Sequence, residues 1–351
     1  MSNRKILFIC GSLNQTTMMH KIAGHFPEDE CYFTPYYSDG LLKYFSKTNL
    51  LDFSILGGQF RKRTLDYLNW HNLKIDFEGS NNDYDLVYTC SDLIIPKNII
   101  NKKVILVQEG MTDPENIMFF LVKNLKLPRW LASTSVTGLS DSYSKFCVAS
   151  EGYKKLFIKK GADPSKIEVT GIPNFDNCKE FIQNNFPYKN YVLVATSDIR
   201  ETYKYENRKK FIEYAKEIAN GKQLIFKLHP NENVERATAE INEYAPGSLI
   251  FPTGNTSHMI ANCDTLITRY SSVVYVALAL GKEVFSDIDL SELKELVPVQ
   301  NDGTSALTIA EVGKRLMLSP NSVKIETELM RMRIKRKLRL MFRSNLLNTE
   351  K

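Results

Sequence analysis

Short apolar runs alternate with amphipathic segments along the first half of the chain. The run Lys5–Cys10 leads into Gly11 and Ser12, and a helical pattern begins at about Thr16. Further short apolar runs, which predict strands, occupy residues 85–89, 103–108, 145–149 and 166–169. A helix is predicted over Glu151–Lys160, which Gly161 ends. Strands separated by helices in this way indicate a parallel sheet with helices on both faces.

The same alternation restarts after residues 184–190, a polar stretch with one proline that predicts a linker. The strands predicted beyond it cover 191–196, 223–228, 248–251, Thr265–Thr268 and 283–286. The helices predicted between them cover 206–219, Val234–Tyr244 and 272–280. The chain is therefore interpreted as α/β, with two Rossmann-like domains at 1–183 and 191–320 and a basic amphipathic tail at 321–351.

Composition adds two constraints to this interpretation. Hydrophobic residues make up 43% and charged residues 25% of the chain, which is the balance of a globular protein. Apolar runs fall short of the roughly 18 residues that a membrane-spanning helix needs, and the N-terminal run is too short for a signal peptide. A cytoplasmic protein is predicted, with its six widely spaced cysteines reduced and mostly buried.

The net charge of +6 is concentrated in the tail. Nine Lys or Arg and three Glu lie within 322–351, so the rest of the chain has no net charge. A neutral body argues against nucleic acid as a partner. Basic and apolar residues interleave at helical spacing over 323–347, and we expect this segment to bind an anionic membrane surface at the inner face of the cytoplasmic membrane. The alternative is that the tail packs back on the first domain with a solvated basic face.

Ligands of parallel α/β sheets bind beyond the C-terminal ends of the strands, so the residues that follow each strand are the candidates. In the second half, Pro230 restricts the backbone of His229, whose imidazole can then donate to a phosphate oxygen. Ser271 and Ser272 stand where a helix begins, which suits either an anion site or simple capping. Alternatively, His229 is only a structural residue of a turn. Lys227 points to the other face of the strand and is a weaker candidate.

Other strand ends supply further candidates. Glu109 and Gly110 follow a buried strand, so Glu109 can act as a general base on an acceptor hydroxyl or be only a solvated acid. Asp198 is a second catalytic candidate, beside the phosphate-binding candidates Thr196 and Ser197. The predicted cleft-lining residues are Gly11, Ser12, Gly110, Gly171, Asn174 and Tyr270. Acidic pairs are missing from the strand ends, and no metal site is predicted.

In this order, Glu109-Gly110, His229-Pro230 and Ser271-Ser272 resemble the motifs of GT-B glycosyltransferases that use CMP-activated acidic sugars, the bacterial sialyltransferases and Kdo transferases. The resemblance covers about residues 100–290. It implies a metal-independent GT-B enzyme that moves Kdo or sialic acid to a bacterial surface glycan or glycolipid, with no cofactor besides its nucleotide-sugar donor. It also implies that Glu109 lies near the reacting centre and that His229 and the serines bind the donor. The family has an acidic residue where Gln108 stands here.

Two other GT-B groups are similar and stay open as alternatives. Residues 169–176 and 270–281 are similar to segments of UDP-GlcNAc 2-epimerases. The epimerase His-Arg-Arg-Glu-Asn stretch is missing at 197–202, and the epimerase Gly-Gly and Glu-Glu pairs are missing from 271–277. CDP-glycerol phosphotransferases share the Lys-x-His-Pro and Ser-Ser patterns. A non-catalytic nucleotide-binding relative is the third alternative.

Overall fold

The computed structural model describes residues 4–45, 55–201 and 205–319. The basic tail that the sequence predicts over 321–351, with its predicted membrane-binding segment 323–347, lies outside the described residues.

The first sheet consists of six parallel strands in the order β2-β1-β3-β4-β5-β6. These strands are β1 (Lys5–Cys10), β2 (Glu30–Pro35), β3 (Leu86–Thr89), β4 (Val104–Val107), β5 (Lys145–Val148) and β6 (Ile167–Val169). Every residue of β3 and β4 is buried, as expected for central strands that are covered by helices on both faces. Parallel pairing brings all the C-terminal ends of the strands to one edge, where the candidate loops lie.

The helices of the first half begin and end at local signals. They are α1 (Leu13–Ala23), α2 (Gly40–Phe45), α3 (Gly58–Trp70), α4 (Ile117–Leu125) and α5 (Glu151–Lys160). The Ser12 hydroxyl accepts from the Gln15 amide at 3.1 Å and so caps α1. Gly161 ends α5 with a φ of 113°, a left-handed conformation that favours glycine.

The second sheet has five parallel strands in the order β11-β10-β7-β8-β9. They are β7 (Val192–Ala195), β8 (Leu224–Lys227), β9 (Leu249–Phe251), β10 (Thr265–Thr268) and β11 (Glu283–Phe285). The helices of this half are α6 (Arg208–Ala219), α7 (Val234–Tyr244), α8 (Thr256–Asn262) and α9 (Val273–Ala279). Alternate residues of β7 face opposite cores, because Leu193 packs into the apolar core that continues into the first domain and Val194 packs into a separate outer one.

The chain then returns to the first domain. It forms α10 (Leu290–Leu296) and α11 (Ser305–Leu318). On the first sheet, the Tyr88 hydroxyl donates to the Ile309 carbonyl at 3.3 Å, and the Lys103 ammonium donates to the Leu316 carbonyl at 2.9 Å. By packing, α11 therefore belongs with the first domain, although the sequence interpretation groups residues up to 320 with the second.

The prediction of two parallel-sheet, Rossmann-like halves is confirmed. The six cysteines are free thiols, five of them buried, and Cys31 is half-buried. Within the described ranges, no helix is long and apolar enough to cross a bilayer. The sequence analysis did not predict β2, because its sequence contains polar residues and ends in a proline, as an edge strand can. It also missed α3, in which only Thr64 and Leu68 are buried.

Candidate active site

The loops that follow β4 and β10 meet across the cleft between the two domains. A methyl group added to Gly110 would lie 3.6 Å from the Ser272 Cβ and 3.9 Å from its hydroxyl oxygen. Beside this contact the Tyr270 hydroxyl donates to the Thr112 carbonyl at 2.6 Å. Burial raises the pKa of Tyr270 to about 12, so its phenol keeps its proton at neutral pH. The loop after β4 and the loop after β10, both predicted as candidates, are therefore in direct contact.

The N-terminus of α1 fixes the carboxylate of Glu109. Oε1 accepts from the Ser12 hydroxyl at 2.7 Å and from the Asn14 amide nitrogen at 3.3 Å. Oε2 accepts from the Gln15 amide nitrogen at 2.5 Å. Because a carboxylate oxygen can accept two hydrogen bonds, Oε2 retains a lone pair that could take a proton. Glu109 is half-buried and is held in one orientation by three donors.

Gly11 allows this arrangement because it leaves room for the Gln15 side chain. A Cβ at position 11 would lie 2.2 Å from the Gln15 Oε1, so any larger residue would displace the amide that binds Glu109. Asn174 supports the same region, since its amide donates to the Asn14 Oδ1 at 2.5 Å and to the Thr17 hydroxyl at 3.1 Å. The cleft segment around Asn174 therefore braces the residues that orient Glu109.

Gln108 makes two hydrogen bonds that an ionised acid could not both make. Its side chain is buried; its amide nitrogen donates to the Gly110 carbonyl at 2.7 Å and its amide oxygen accepts from the Ala149 amide at 2.9 Å. An ionised carboxylate accepts hydrogen bonds but cannot donate one to a carbonyl. The amide at this position thus ties the loop that follows β4 to the end of β5.

A cavity of about 700 Å³ opens beside Glu109 in the first domain. Its walls are largely apolar, and its polar lining includes Glu109 and Ser272. The apolar lining includes Tyr36, Leu56, Phe60, Ile94, Met111, Trp130 and Leu131. A mostly apolar cavity with a few convergent polar groups is the usual form of a small-molecule site.

Ser272 occupies the N-cap position of α9 without capping it. Its backbone is helical, with φ −65° and ψ −11°, and its side chain makes no capping hydrogen bond. The Ser271 hydroxyl instead accepts from the Val273 amide at 3.5 Å. The capping alternative therefore fits only Ser271, whereas the hydroxyl of Ser272 is left at the cavity.

A second group of candidates lies at the ends of β7 and β8. The His229 amide donates to the Thr196 hydroxyl at 3.2 Å and to the Glu232 carboxylate at 3.3 Å. The Asn231 amide donates to the His229 Nδ1 at 3.3 Å, a hydrogen bond that favours the neutral tautomer protonated on Nε2. Asp198 lies nearby, with its Oδ2 3.5 Å from Nδ1. The half-exposed imidazole is thus arranged to donate from Nε2, and Pro230 beside it is exposed.

Buried charges support this second group from below. The Arg208 guanidinium donates to the Glu232 Oε1 at 2.6 Å and to the Glu206 Oε2 at 2.8 Å, and all three side chains are buried. The Thr196 hydroxyl donates to the other Glu232 oxygen at 2.5 Å. Ser197 is buried too, and within the described chain its hydroxyl has no hydrogen-bond partner. The ion network therefore fixes the backbone that carries His229.

No protein-family model and no curated protein sequence matches this chain. Solved structures do match its fold. A putative UDP-N-acetylglucosamine 2-epimerase from Listeria monocytogenes is 15% identical, with a TM-score of 0.55 over 89% of this chain and 87% of that one. S. aureus MnaA, solved with UDP, is 13% identical, with a TM-score of 0.54 over 90% and 88%.

The wall teichoic acid polymerase TagF is 12% identical, with a TM-score of 0.51 over 93% of this chain and 90% of that one. The chain has a GT-B fold. In this GT-B fold the group around Glu109 belongs to the first domain, the group around His229 belongs to the second, and Ser272 reaches across to the first group.

The sequence interpretation singled out these positions but not their partners. Lys227 is buried and donates to the Leu228 carbonyl at 2.7 Å, in line with its lesser ranking. Gly171 has a φ of 73°, and an added Cβ there would lie 2.3 Å from the Ser305 hydroxyl oxygen. Close packing against Ser305 therefore requires this glycine, which the sequence interpretation placed at the cleft. Glu232 was missed, although it stands three residues after His229. Arg208 and Glu206 carry no comparable sequence signal.

Proposed function

We propose that the protein is a nucleotide-dependent group transferase whose second domain binds the donor and whose first-domain cavity receives the acceptor. One observation carries the proposal. The Glu109 carboxylate, oriented by three donors at the N-terminus of α1, lines a cavity of about 700 Å³ that Ser272 of the second domain also lines, and Gly110 next to it lies against Ser272. In the proposal Glu109 is the general base, beside the point where an acceptor in one domain would meet a donor on the other.

In this proposal the acceptor hydroxyl gives its proton to the Glu109 Oε2. The acceptor oxygen forms a bond to the transferred carbon or phosphorus atom, and the bond from that atom to the nucleotide phosphate breaks. The electron pair of the broken bond stays on the departing nucleotide. Donors at the His229 Nε2 and the Ser272 hydroxyl would stabilise that negative charge, an electrostatic role that suits fixed side chains.

For the donor, we favour a nucleoside diphosphate derivative of cytidine or uridine over the CMP-activated acidic sugar that the sequence resemblance implies. Two supports are the Lys227-x-His229-Pro230 and Ser271-Ser272 patterns, which CDP-glycerol phosphotransferases share, and the fold shared with a TagF variant soaked with CDPG. A third support is the fold shared with Anabaena HepE in complex with UDP and glucose, at 12% identity and a TM-score of 0.51.

An epimerase is a weaker candidate. An epimerisation needs no second substrate, so the large cavity beside Glu109 would have no role in it. The missing epimerase motifs at 197–202 and 271–277 point in the same direction.

A panel of CDP-, UDP- and CMP-linked donors tests the proposal, with released nucleotide as the readout in the presence of lipid-linked and free glycan acceptors. We expect Glu109→Gln to lower turnover about 100-fold or more, because the amide cannot take the proton. Glu115→Gln, an exposed acid in the same loop, is the matched control and should keep full turnover. Near-normal turnover of Glu109→Gln would move the base elsewhere, with Asp198 next.

A further inference from the structure

An exposed apolar surface lies beside the cavity. Ile117, Phe120, Leu121 and Leu125 of α4 are exposed, with Ile117 at 78% and Leu125 at 63%. The chain that follows adds Leu127, Trp130 and Leu131, which are exposed as well. We call these seven residues the α4 face. Soluble proteins rarely expose so many large apolar side chains within 15 consecutive positions, so this surface indicates an interaction site.

The α4 face belongs to a helix that is packed on its other side. The opposite side of α4 places Phe119 and Val122 in a small core with Ala132 and Val136. The Asn116 side chain caps the helix by accepting from the Phe119 amide at 3.0 Å. A helix that is apolar on its buried side and also on its outer side does not follow the pattern of a water-facing surface helix.

The charged residues of the α4 segment itself are basic, and the acids Asp113 and Glu115 lie just before it in the chain. Residues 116–136 contain Lys123, Lys126 and Arg129 and no acidic residue. Lys123 and Lys126 are exposed, although the Lys123 ammonium donates to the Lys160 carbonyl at 2.8 Å. Arg129 holds the segment in place by donating to the Asp92 carbonyl at 3.1 Å. Basic side chains next to exposed apolar ones, with a tryptophan among them, match the headgroup region of an anionic bilayer.

The face is continuous with the cavity, because Trp130 and Leu131 belong to the α4 face and also line the cavity beside Glu109. A protein partner that covered this face would also cover that side of the cavity. A bilayer that covered the same face could instead supply an apolar molecule to the cavity. We propose that the α4 face docks on an anionic lipid bilayer, so that the apolar part of a membrane-borne acceptor enters the cavity from the membrane. Docking does not require the proposed transfer reaction, so the two can fail separately.

The chain's two tryptophans provide a matched test in the full-length protein. Trp70→Phe leaves Trp130 as the reporter, and Trp130→Phe leaves the 83% exposed Trp70. Each variant is mixed with vesicles of phosphatidylcholine and phosphatidylglycerol that carry brominated acyl chains. We expect strong quenching of Trp130 and none of Trp70. Binding without quenching of Trp130, or equal quenching of both, would overturn the proposal.

A second measurement uses vesicle flotation. The triple change Ile117→Ser, Phe120→Ser and Leu125→Ser should lower partitioning into the same vesicles at least about tenfold, because three apolar side chains no longer leave water. The control changes the exposed residues Trp70, Ile100 and Ile182 to serine and should partition normally. Equal partitioning of the α4 variant with an unchanged melting temperature, together with unquenched Trp130 in the first experiment, would refute docking, since the tail alone would then account for binding. So would a lipid-free dimer of the wild type that the α4 variant abolishes.

Discussion

Replacing Arg208 by methionine tests whether buried ion pairs hold the second-domain loops in place. The Arg208 side chain is 3% exposed, and its guanidinium contacts the carboxylates of Glu206 and Glu232, neither of which has any exposed side-chain surface. Methionine fills much of the same volume but leaves both carboxylates without their closest cation. Breaking a buried pair by removing one partner typically costs 3–5 kcal/mol.

The structure sets the expected cost near the lower end of that range. The Arg200 guanidinium remains, with its Nε 3.7 Å from the Glu206 Oε2 and its Nη2 3.8 Å from the Glu232 Oε1. It can offset part of the lost interaction, so we expect Arg208→Met to lower the free energy of unfolding by about 3 kcal/mol. Adding Glu232→Gln should restore part of this loss, because one uncompensated charge is then removed.

Urea unfolding followed by far-ultraviolet circular dichroism measures the effect. Arg236→Met is the matched control, since Arg236 pairs with Glu201 at the surface and is 44% exposed. Such exposed pairs contribute about 0–1 kcal/mol. If Arg208→Met costs no more than Arg236→Met, the network does not hold the loops. If Arg208→Met loses much stability but adding Glu232→Gln restores none of it, the unpaired charge of Glu232 is not the cause of the loss.

Two further outcomes follow from packing and from pH. Gly152→Ala would gain about 1 kcal/mol of helix propensity in α5, but the added Cβ would lie 2.0 Å from the Glu295 carbonyl oxygen of α10. We therefore expect calorimetry to show a net loss of stability of about 1–3 kcal/mol. An unchanged melting temperature would show that α10 moves to make room for the methyl group. The hydrogen bond from Arg200 lowers the pKa of Glu240 below its ordinary 4.5, so this pair adds stability above pH 4.5 that is lost as the pH falls through the folded-state pKa. Glu240→Gln should therefore lower stability at pH 7 and flatten its acid dependence, and parallel pH profiles for the two proteins would contradict this reasoning.

Local signals in the sequence predicted much of the fold. The helix Glu151–Lys160 was predicted with its observed ends because the glycine after it adopts the left-handed conformation that ends helices. Thr265–Thr268 was predicted as a strand with its observed ends, since it is a short buried run between polar residues. The return of α11 to the first sheet could not be predicted, because it depends on contacts such as that of Tyr88 with Ile309, 221 positions apart.

Some residues of the candidate site could be predicted from the sequence and others could not. Glu109 was found because it follows a buried strand, but its donors on α1 lie 94–97 positions earlier and carry no signal that links them to it. Charged residues such as Arg208 and Glu206 look like surface residues in a sequence. They are buried only because folding brings opposite charges together. Gln108 departs from the acidic residue of the resembling family, and the structure gives the reason in the carbonyl that its amide must bind.

Nucleotide binding by the second domain is the central claim, and isothermal titration of the full-length protein with CMP, CDP and UDP tests it most directly. We expect at least one of these nucleotides to bind. His229→Ala should weaken that binding by about 1.5–3 kcal/mol through loss of a charge-assisted hydrogen bond, whereas His258→Ala, another half-buried histidine of the second domain, should leave it unchanged. Failure of all three nucleotides to bind the folded protein, or equal affinity of the wild type and His229→Ala, would contradict the account.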